Sequence, residues 1–268
     1  MELAHNGSQI RYSPWASFLA TGIVMLALAG AAAGQTTPSN NEACSESPLD
    51  IPLRLISQAQ SSYAGVNDYA CLFVKREKLH NQLQSENLIA MRVRTRPFSV
   101  NLRWLKPNDL NGQEACFVAG RNNGQMRVRS AGLLGGVGFV SLDTNDPRVL
   151  ENSRHSILEA GIGNLIQRFH ESYTMERNRN KTLVSVTEYY DNKRHCLRVE
   201  TVRPDNSDRL FIFYRSVVYF DRENHLPIRV ENYDWPRKAG DVAGDLVESY
   251  SFADLKLNVG LKDEVFNH

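Results

Sequence analysis

The chain has 268 residues, of which 42% are hydrophobic, and a formal net charge of +1 at pH 7. This length and composition suffice for one substantial buried core, so we expect a single domain. The small net charge argues against nucleic acid or an acidic polymer as the partner, and the sequence contains no recognised nucleic-acid-binding motif.

An uncharged apolar segment occupies residues 15–34. Ala31 and Ala33 have the A-x-A arrangement of a signal-peptidase site, which predicts a cleaved signal peptide in residues 1–34. Arg11 supplies only a weak positive region before it, and a helix of this length spans ~30 Å, so an uncleaved membrane anchor is the alternative. Both interpretations export the remainder, either into the periplasm or anchored to the inner membrane and facing the periplasm.

Residues 35–48 are polar, which predicts a flexible linker ahead of one domain at 49–268. The exported part contains four cysteines, and three pairings are open if all of them are oxidised. Burial of Cys71 and Cys116 as ordinary strand residues is an equally good interpretation. The four are Cys44, Cys71, Cys116 and Cys196.

The domain is predicted to begin with a helix that Asp50 caps and Gly65 ends. Three strands follow at 68–77, 88–96 and 98–107, and we expect them to share one sheet. Their residues alternate with a period of two, which gives the sheet one apolar face and one cationic face. The apolar set in the third strand is Phe98, Val100, Leu102 and Trp104; the cationic set in the second strand is Arg92, Arg94 and Arg96.

A second helix is predicted from Ile162 to near Tyr173. Strands are predicted before it at 113–120, 125–131 and 139–143, and after it at 182–190, 195–204, 210–220, 227–236 and 245–257. The fold class is therefore α+β, with an antiparallel sheet of about ten strands. Several strands are apolar on both faces, so one face needs a cover. We expect two helices on the concave side of a strongly curved sheet, an incomplete barrel, or else a bound apolar ligand.

No established catalytic or metal-binding motif occurs in the sequence. It lacks G-x-S-x-G, H-E-x-x-H and C-x-x-C, and the glycine-rich run 132–138 has no following Lys-Ser/Thr to cradle a phosphate. The histidines are dispersed, and Asp143 and Asp146 lack the spacing of a calcium loop. We therefore predict no enzyme activity, no catalytic residue, no metal and no cofactor.

Two sets of residues are candidates for binding. The apolar set, joined by Phe213, is either a ligand pocket or ordinary core. The arginines either hold the anionic headgroup of a ligand or pair with carboxylates from the other half of the chain, such as Glu231, Asp234 and Glu248. The headgroup candidates are Arg92, Arg94, Arg96, Arg127 and Arg129, with Arg103 nearby.

Several segments resemble, in the same order, the signature segments of an exported bacterial family, domain of unknown function 1571. They are DYACLFVKREK, VRTRPFSVNLRWLKP, FVAGRNNG, PIRVENYDWP and LNVGLKDEVF. The resemblance runs from Pro48 to Phe266. It implies a fold similar to the periplasmic lipoprotein carriers (LolA-like), whose curved sheet holds acyl chains, and it implies no reaction.

These observations predict a non-enzymatic exported protein that binds an apolar or amphiphilic ligand, a lipid or a lipidated protein, in the cell envelope. Association with the membrane is expected through the N-terminal segment if that segment is not cleaved. The alternative is an envelope structural or interaction module whose core is filled by its own side chains.

Overall fold

The structure is a computed structural model and describes residues 47–179, 181–191, 194–205, 211–237 and 242–267. The predicted signal peptide or anchor, nearly all of the predicted linker, and Cys44 lie outside these ranges. Within them, no helix is both long enough and apolar enough to cross a membrane.

The described ranges contain three α-helices: α1 (Asp50–Ala64), α2 (Pro147–Leu150) and α3 (Ile162–Arg177). The two long helices confirm the prediction, although α3 continues one turn beyond Tyr173. Asp50 is the first helical residue and not the cap, because Leu49 occupies the cap position. A carboxylate in the first turn still interacts favourably with the positive end of the helix dipole.

The described strands form one antiparallel sheet of twelve, in which eleven strands follow the order β7-β6-β5-β4-β3-β1-β12-β11-β10-β9-β8 and β2 pairs with β1. The strands are β1 (Asp68–Leu79), β2 (Gln82–Leu83), β3 (Asn87–Arg94), β4 (Ser99–Lys106), β5 (Glu114–Val118), β6 (Met126–Arg129), β7 (Val140–Leu142), β8 (Leu183–Asp191), β9 (Arg194–Val202), β10 (Arg215–Asp221), β11 (Pro227–Tyr233) and β12 (Leu246–Leu257). No pairing within the described ranges joins β7 to β8, so the sheet is open.

The eleven predicted strands all occur in the predicted order, β2 is an additional short strand, and several strands are shorter than predicted. Residues 210–220 were predicted as one strand, but β10 begins only at Arg215. The run 210–220 is apolar nearly throughout, so its periodicity gives no sign of where pairing starts.

The two faces of the sheet differ in what covers them. Residues directly opposite each other on antiparallel strands share a face, which places Tyr69, Val93, Val100 and Phe117 together on one side. These residues pack with α1 and α3 in the main hydrophobic core, so we call this the helix face. The other side is called the outer face.

Two glycines allow the helices to pack closely. A Cβ atom at Gly163 would lie 2.5 Å from Cε1 of Tyr63, so the Tyr63 ring of α1 packs directly on the α3 backbone. The hydroxyl of Tyr69 accepts a hydrogen bond from the backbone N–H of Ile162 at 2.9 Å. Gly161 has a φ of +99°, and a Cβ atom on this residue would lie 2.6 Å from the Tyr69 hydroxyl, so both the backbone conformation and the available space favour glycine here. The start of α3 is thereby fixed to both α1 and β1.

Candidate functional site

A groove of about 520 Å³ lies where α1, α3 and the turn between β3 and β4 meet. One wall comes from α1 through Gln60, Tyr63 and Ala64, and the turn contributes Thr95 and Phe98. This volume falls in the range of about 300–1,000 Å³ that is typical of small-molecule sites.

The facing wall is formed by the start of α3 and the chain just before it. This wall consists of Ala160, Gly163, Asn164, Ile166 and Gln167. Among the described residues that line the groove, none carries a charged side chain. The groove therefore combines apolar surface with neutral amide and hydroxyl groups.

Two polar residues in the groove interact with the rest of the protein: hydrogen bonds fix the side chain of Asn164, and burial keeps Tyr63 neutral. Asn164 donates through Nδ2 to the carbonyl oxygens of Leu158 and Ala160 at 2.7 and 2.9 Å. Burial raises the pKa of Tyr63 to about 12, so its phenol is neutral at physiological pH. The lining thus stays uncharged at physiological pH.

The predicted apolar set lies on the helix face, but only one member reaches the groove. Phe98 lines it, whereas Val100 is fully buried in the core. Leu102 and Trp104 are half-buried against that core, and the Trp104 indole N–H donates to Oδ1 of Asn87 at 2.9 Å. Val100, Leu102 and Trp104 therefore pack in or against the core, which was the alternative to a ligand pocket.

Phe213 does not belong with these residues. It precedes β10, and the four strands β3, β1, β12 and β11 separate β10 from β4 in the sheet. Its carbonyl oxygen is 3.5 Å from Nη1 of Arg203. Phe213 is therefore not adjacent to the apolar set in the sheet, because strand order cannot be read from a local period of two.

The predicted headgroup arginines of β3 and β6 lie on the outer face, and the groove lies on the helix side. Arg92 donates to Oδ1 of Asn101 at 3.3 Å. Arg129 pairs with Glu114 at 2.9 Å, and Arg127 donates to Oγ of Ser141 at 2.9 Å. These contacts hold the guanidinium groups in cross-strand networks of the chain itself.

Arg94 is covered by the segment that follows β12, residues 258–267. Its guanidinium pairs with Asp263 and lies 4.9 Å from the centroid of the Phe266 ring. Phe266 is itself buried against Cys116 and Val118 on the outer face. Arg96, in contrast, is exposed in the turn between Thr95 and Phe98, beside the groove.

The carboxylates expected to pair with these arginines have other partners. Glu231 pairs with Arg229, and Glu248 pairs with Arg154 at 2.8 Å. Asp234 accepts a hydrogen bond from the backbone N–H of Trp235 at 2.8 Å. Arg94 and Arg129 do form ion pairs with carboxylates, as one interpretation of the sequence predicted. Their partners are Asp263 and Glu114, so the prediction of Glu231, Asp234 and Glu248 as partners was wrong.

A buried cluster of charges, which sequence reasoning missed, lies at the far end of the helix face. Glu77 of β1 and Glu248 of β12 are neighbours in the sheet and are 3% and 1% exposed. The Tyr250 hydroxyl donates to Glu77, and Lys75 pairs with the same carboxylate at 3.0 Å. Arg154 donates through Nε to Glu248 at 2.8 Å. Each buried carboxylate is thus compensated by at least one cation.

His155 completes this cluster. Its Nδ1 is 3.0 Å from Glu159, and its Nε2 is 3.0 Å from Glu248. Nη1 of Arg168 also lies 3.4 Å from Nδ1, but each ring nitrogen has a closer carboxylate that only accepts, so the ring carries both protons and a positive charge. Burial disfavours that charge, but the hydrogen bonds to Glu159 and Glu248 outweigh it and raise the pKa of His155 to about 9. The arrangement fixes residues 154–159 to the sheet and leaves no ring nitrogen to act as a base.

The described cysteines are buried. Cys71 and Cys116 are free thiols, and burial raises the pKa of Cys71 to about 12 and that of Cys116 to about 11. Cys196 is 1% exposed in a small cluster with Val217 and Tyr219. Burial as strand residues, one of the two interpretations of the sequence, is therefore correct for Cys71 and Cys116.

Several solved structures resemble the chain at low identity. An uncharacterised conserved protein from Thermus thermophilus has 8% identity and a TM-score of 0.46 over 82% of this chain and 94% of that chain. Lipoprotein LppX from Mycobacterium tuberculosis has 14% identity and a TM-score of 0.46, over 80% and 98%. A LolA superfamily protein from Nitrosomonas europaea has 11% identity and a TM-score of 0.33, over 80% and 96%.

No protein of curated function matches the chain. The family described as "Protein of unknown function (DUF1571)" matches residues 66–268. This match confirms the resemblance carried by the sequence motifs, and the chain belongs to that family.

Proposed function

We propose that this protein is a non-enzymatic, exported protein that binds an apolar or amphiphilic ligand, a lipid or a lipidated protein, in the groove between α1 and α3. The observation that carries the proposal is the groove itself, which has about 520 Å³ of space beside the Phe98 ring. Apolar side chains that line a concave site with a few polar groups are typical of small-molecule binding.

The positions of the two helices support this function. Both walls of the groove are helices that cover the helix face, so a chain in the groove would extend the apolar core. We also propose that the sheet curves strongly around them as an incomplete barrel, and that the chain works in the periplasm or at the inner membrane. The export part of the proposal depends on the sequence of residues 15–34.

The second candidate function is an envelope interaction module without a ligand. The complete burial of Val93, Val100 and Ile162 favours it, because these residues show that much of the helix face is already filled by the protein. The two functions differ in whether the groove is occupied in the cell.

Mass spectrometry of organic extracts tests the choice. The protein is purified from its native envelope beside Phe98→Asp and the control Leu83→Asp, which changes an exposed apolar residue outside the groove. A stoichiometric lipid in the wild type and in Leu83→Asp, absent from Phe98→Asp, would support ligand binding. No lipid in any of the three proteins would favour the interaction module, and the same stoichiometric lipid in all three would mean a ligand bound away from Phe98.

A further inference from the structure

We infer that the groove selects ligands whose headgroup is uncharged and hydrogen-bonding, such as a hydroxyl or an amide attached to an acyl chain, and discriminates against fatty acids and phospholipids. This inference rests on the proposed function and specifies its ligand class. It differs from the anionic headgroup, which was one of the two interpretations of the arginines in the sequence.

The first argument comes from the lining. The polar groups there are the amides of Gln60, Asn164 and Gln167 and the hydroxyls of Thr95 and Tyr63. An ionised headgroup placed among such groups loses water without gaining a counter-ion, and this transfer is much more costly than that of a neutral polar group. The lining therefore favours a neutral headgroup.

The second argument comes from the arginines. Arg92, Arg94 and Arg129 occupy the outer face, where they interact with Asn101, Asp263 and Glu114. A headgroup in the groove on the helix side would not reach them through the sheet. Two cations are next in sequence to the lining: Arg96 follows Thr95, and Arg168 follows Gln167. Arg168 pairs with Glu159 at 3.6 Å, which leaves Arg96 as the cation to test.

The third argument is that the amides in the groove differ in availability. Asn164 is engaged with the carbonyl oxygens of Leu158 and Ala160, and Gln167 donates to Glu171 at 2.9 Å. Gln60 is exposed on α1 at the opposite wall. We assign Gln60 as the residue that contacts the headgroup.

The test compares four single-chain amphiphiles of equal chain length by equilibrium fluorescence competition on the whole protein. They are a monoacylglycerol, an acyl ethanolamide, a fatty acid and an alkyl trimethylammonium. We expect the two neutral compounds to bind about tenfold or more tightly than either ion. Equal affinity for the fatty acid and the monoacylglycerol would overturn the inference and leave the proposed function standing. Failure of all four to bind would overturn both.

Matched variants separate the headgroup effect from general surface charge. Gln60→Lys places a cation in the groove and is expected to strengthen fatty-acid binding about fivefold relative to the monoacylglycerol. Gln58→Lys adds the same charge to an exposed position of the same helix outside the lining and should leave the ratio unchanged. Arg96→Gln should also leave it unchanged; a loss of fatty-acid binding in Arg96→Gln would assign an anionic headgroup to Arg96 and contradict the inference.

Discussion

The hydroxyl of Tyr69 on β1 accepts the backbone N–H of Ile162 at the first position of α3, at 2.9 Å and with both residues fully buried. This bond satisfies one of the N–H groups that a helix start leaves without an internal partner. It also fixes the wall of the groove to the middle of the sheet. The stability of the fold and the shape of the groove are thereby connected.

Replacing Tyr69 with Phe should be costly for this reason. The variant removes the acceptor and leaves the Ile162 N–H buried without it, which we expect to lower the free energy of unfolding by about 1–3 kcal/mol. Urea unfolding followed by circular dichroism measures the change. Tyr190→Phe, at a site that is 73% exposed, is the control and should change stability by less than about 0.5 kcal/mol. A similar loss in both variants would contradict the role of the bond.

Gly163 should resist even the smallest side chain. An alanine Cβ would lie 2.5 Å from the Tyr63 ring, so Gly163→Ala should destabilise by about 1–3 kcal/mol through overpacking and should displace α1 from α3. Thermal unfolding measures this loss. Gly65→Ala is the matched control, because its Cβ would meet only the Ser62 oxygen at 3.8 Å and its φ is negative. The double variant Gly163→Ala with Tyr63→Ala should lose less than the sum of the two single changes.

The charged state of His155 predicts a stability that depends on pH. The folded pKa of about 9 exceeds the ordinary value of 6.5, so the stabilisation is complete below 6.5 and is lost as the pH rises through about 9. We expect a loss of roughly 1–3 kcal/mol over this window. Chemical denaturation at a series of pH values measures it. His155→Gln should be less stable at low pH and should lack this part of the dependence; parallel curves for the two proteins would refute the assignment.

The segment 258–267 should be held mainly by apolar packing. Phe266→Ala removes a ring that is 4% exposed and should cost about 3 kcal/mol. Asp263→Ala removes ion pairs to Arg94 and Arg121 from a half-exposed carboxylate and should cost about 1 kcal/mol or less. Limited proteolysis and urea unfolding report the two losses. A larger effect from Asp263→Ala would show that charge, and not packing, fixes the segment.

The sequence was sufficient for what depends on local pattern. Alternation in 98–107 predicted correctly that Val100, Leu102 and Trp104 share a face, and alternation in 88–96 placed Arg92 and Arg94 on the other. Helical spacing likewise located α1 and α3. These properties follow from the geometry of neighbouring residues.

The charge cluster, the partner of Arg94 and the groove could not be predicted, because they depend on contacts between residues that are distant in sequence. Tyr250 and Glu77 are 173 positions apart, and only the pairing of β1 with β12 brings them together. The partner of Arg94 lies in a segment with no strand periodicity, which is why the wrong carboxylates were chosen. The groove depends on Gly163 and its contact with Tyr63, a feature of packing that no motif records.

The pairing of β1 with β12 also has a consequence for how the chain acquires its structure. These two strands lie side by side near the centre of the sheet, although 68–79 and 246–257 lie at opposite ends of the domain sequence. Contacts between residues so distant in sequence require the closure of a long loop, which slows folding. Residues 246–257 must therefore be synthesised before the central pair can form, and until then the edge of β1 that pairs with β12 is unpaired, which exposes it to aggregation.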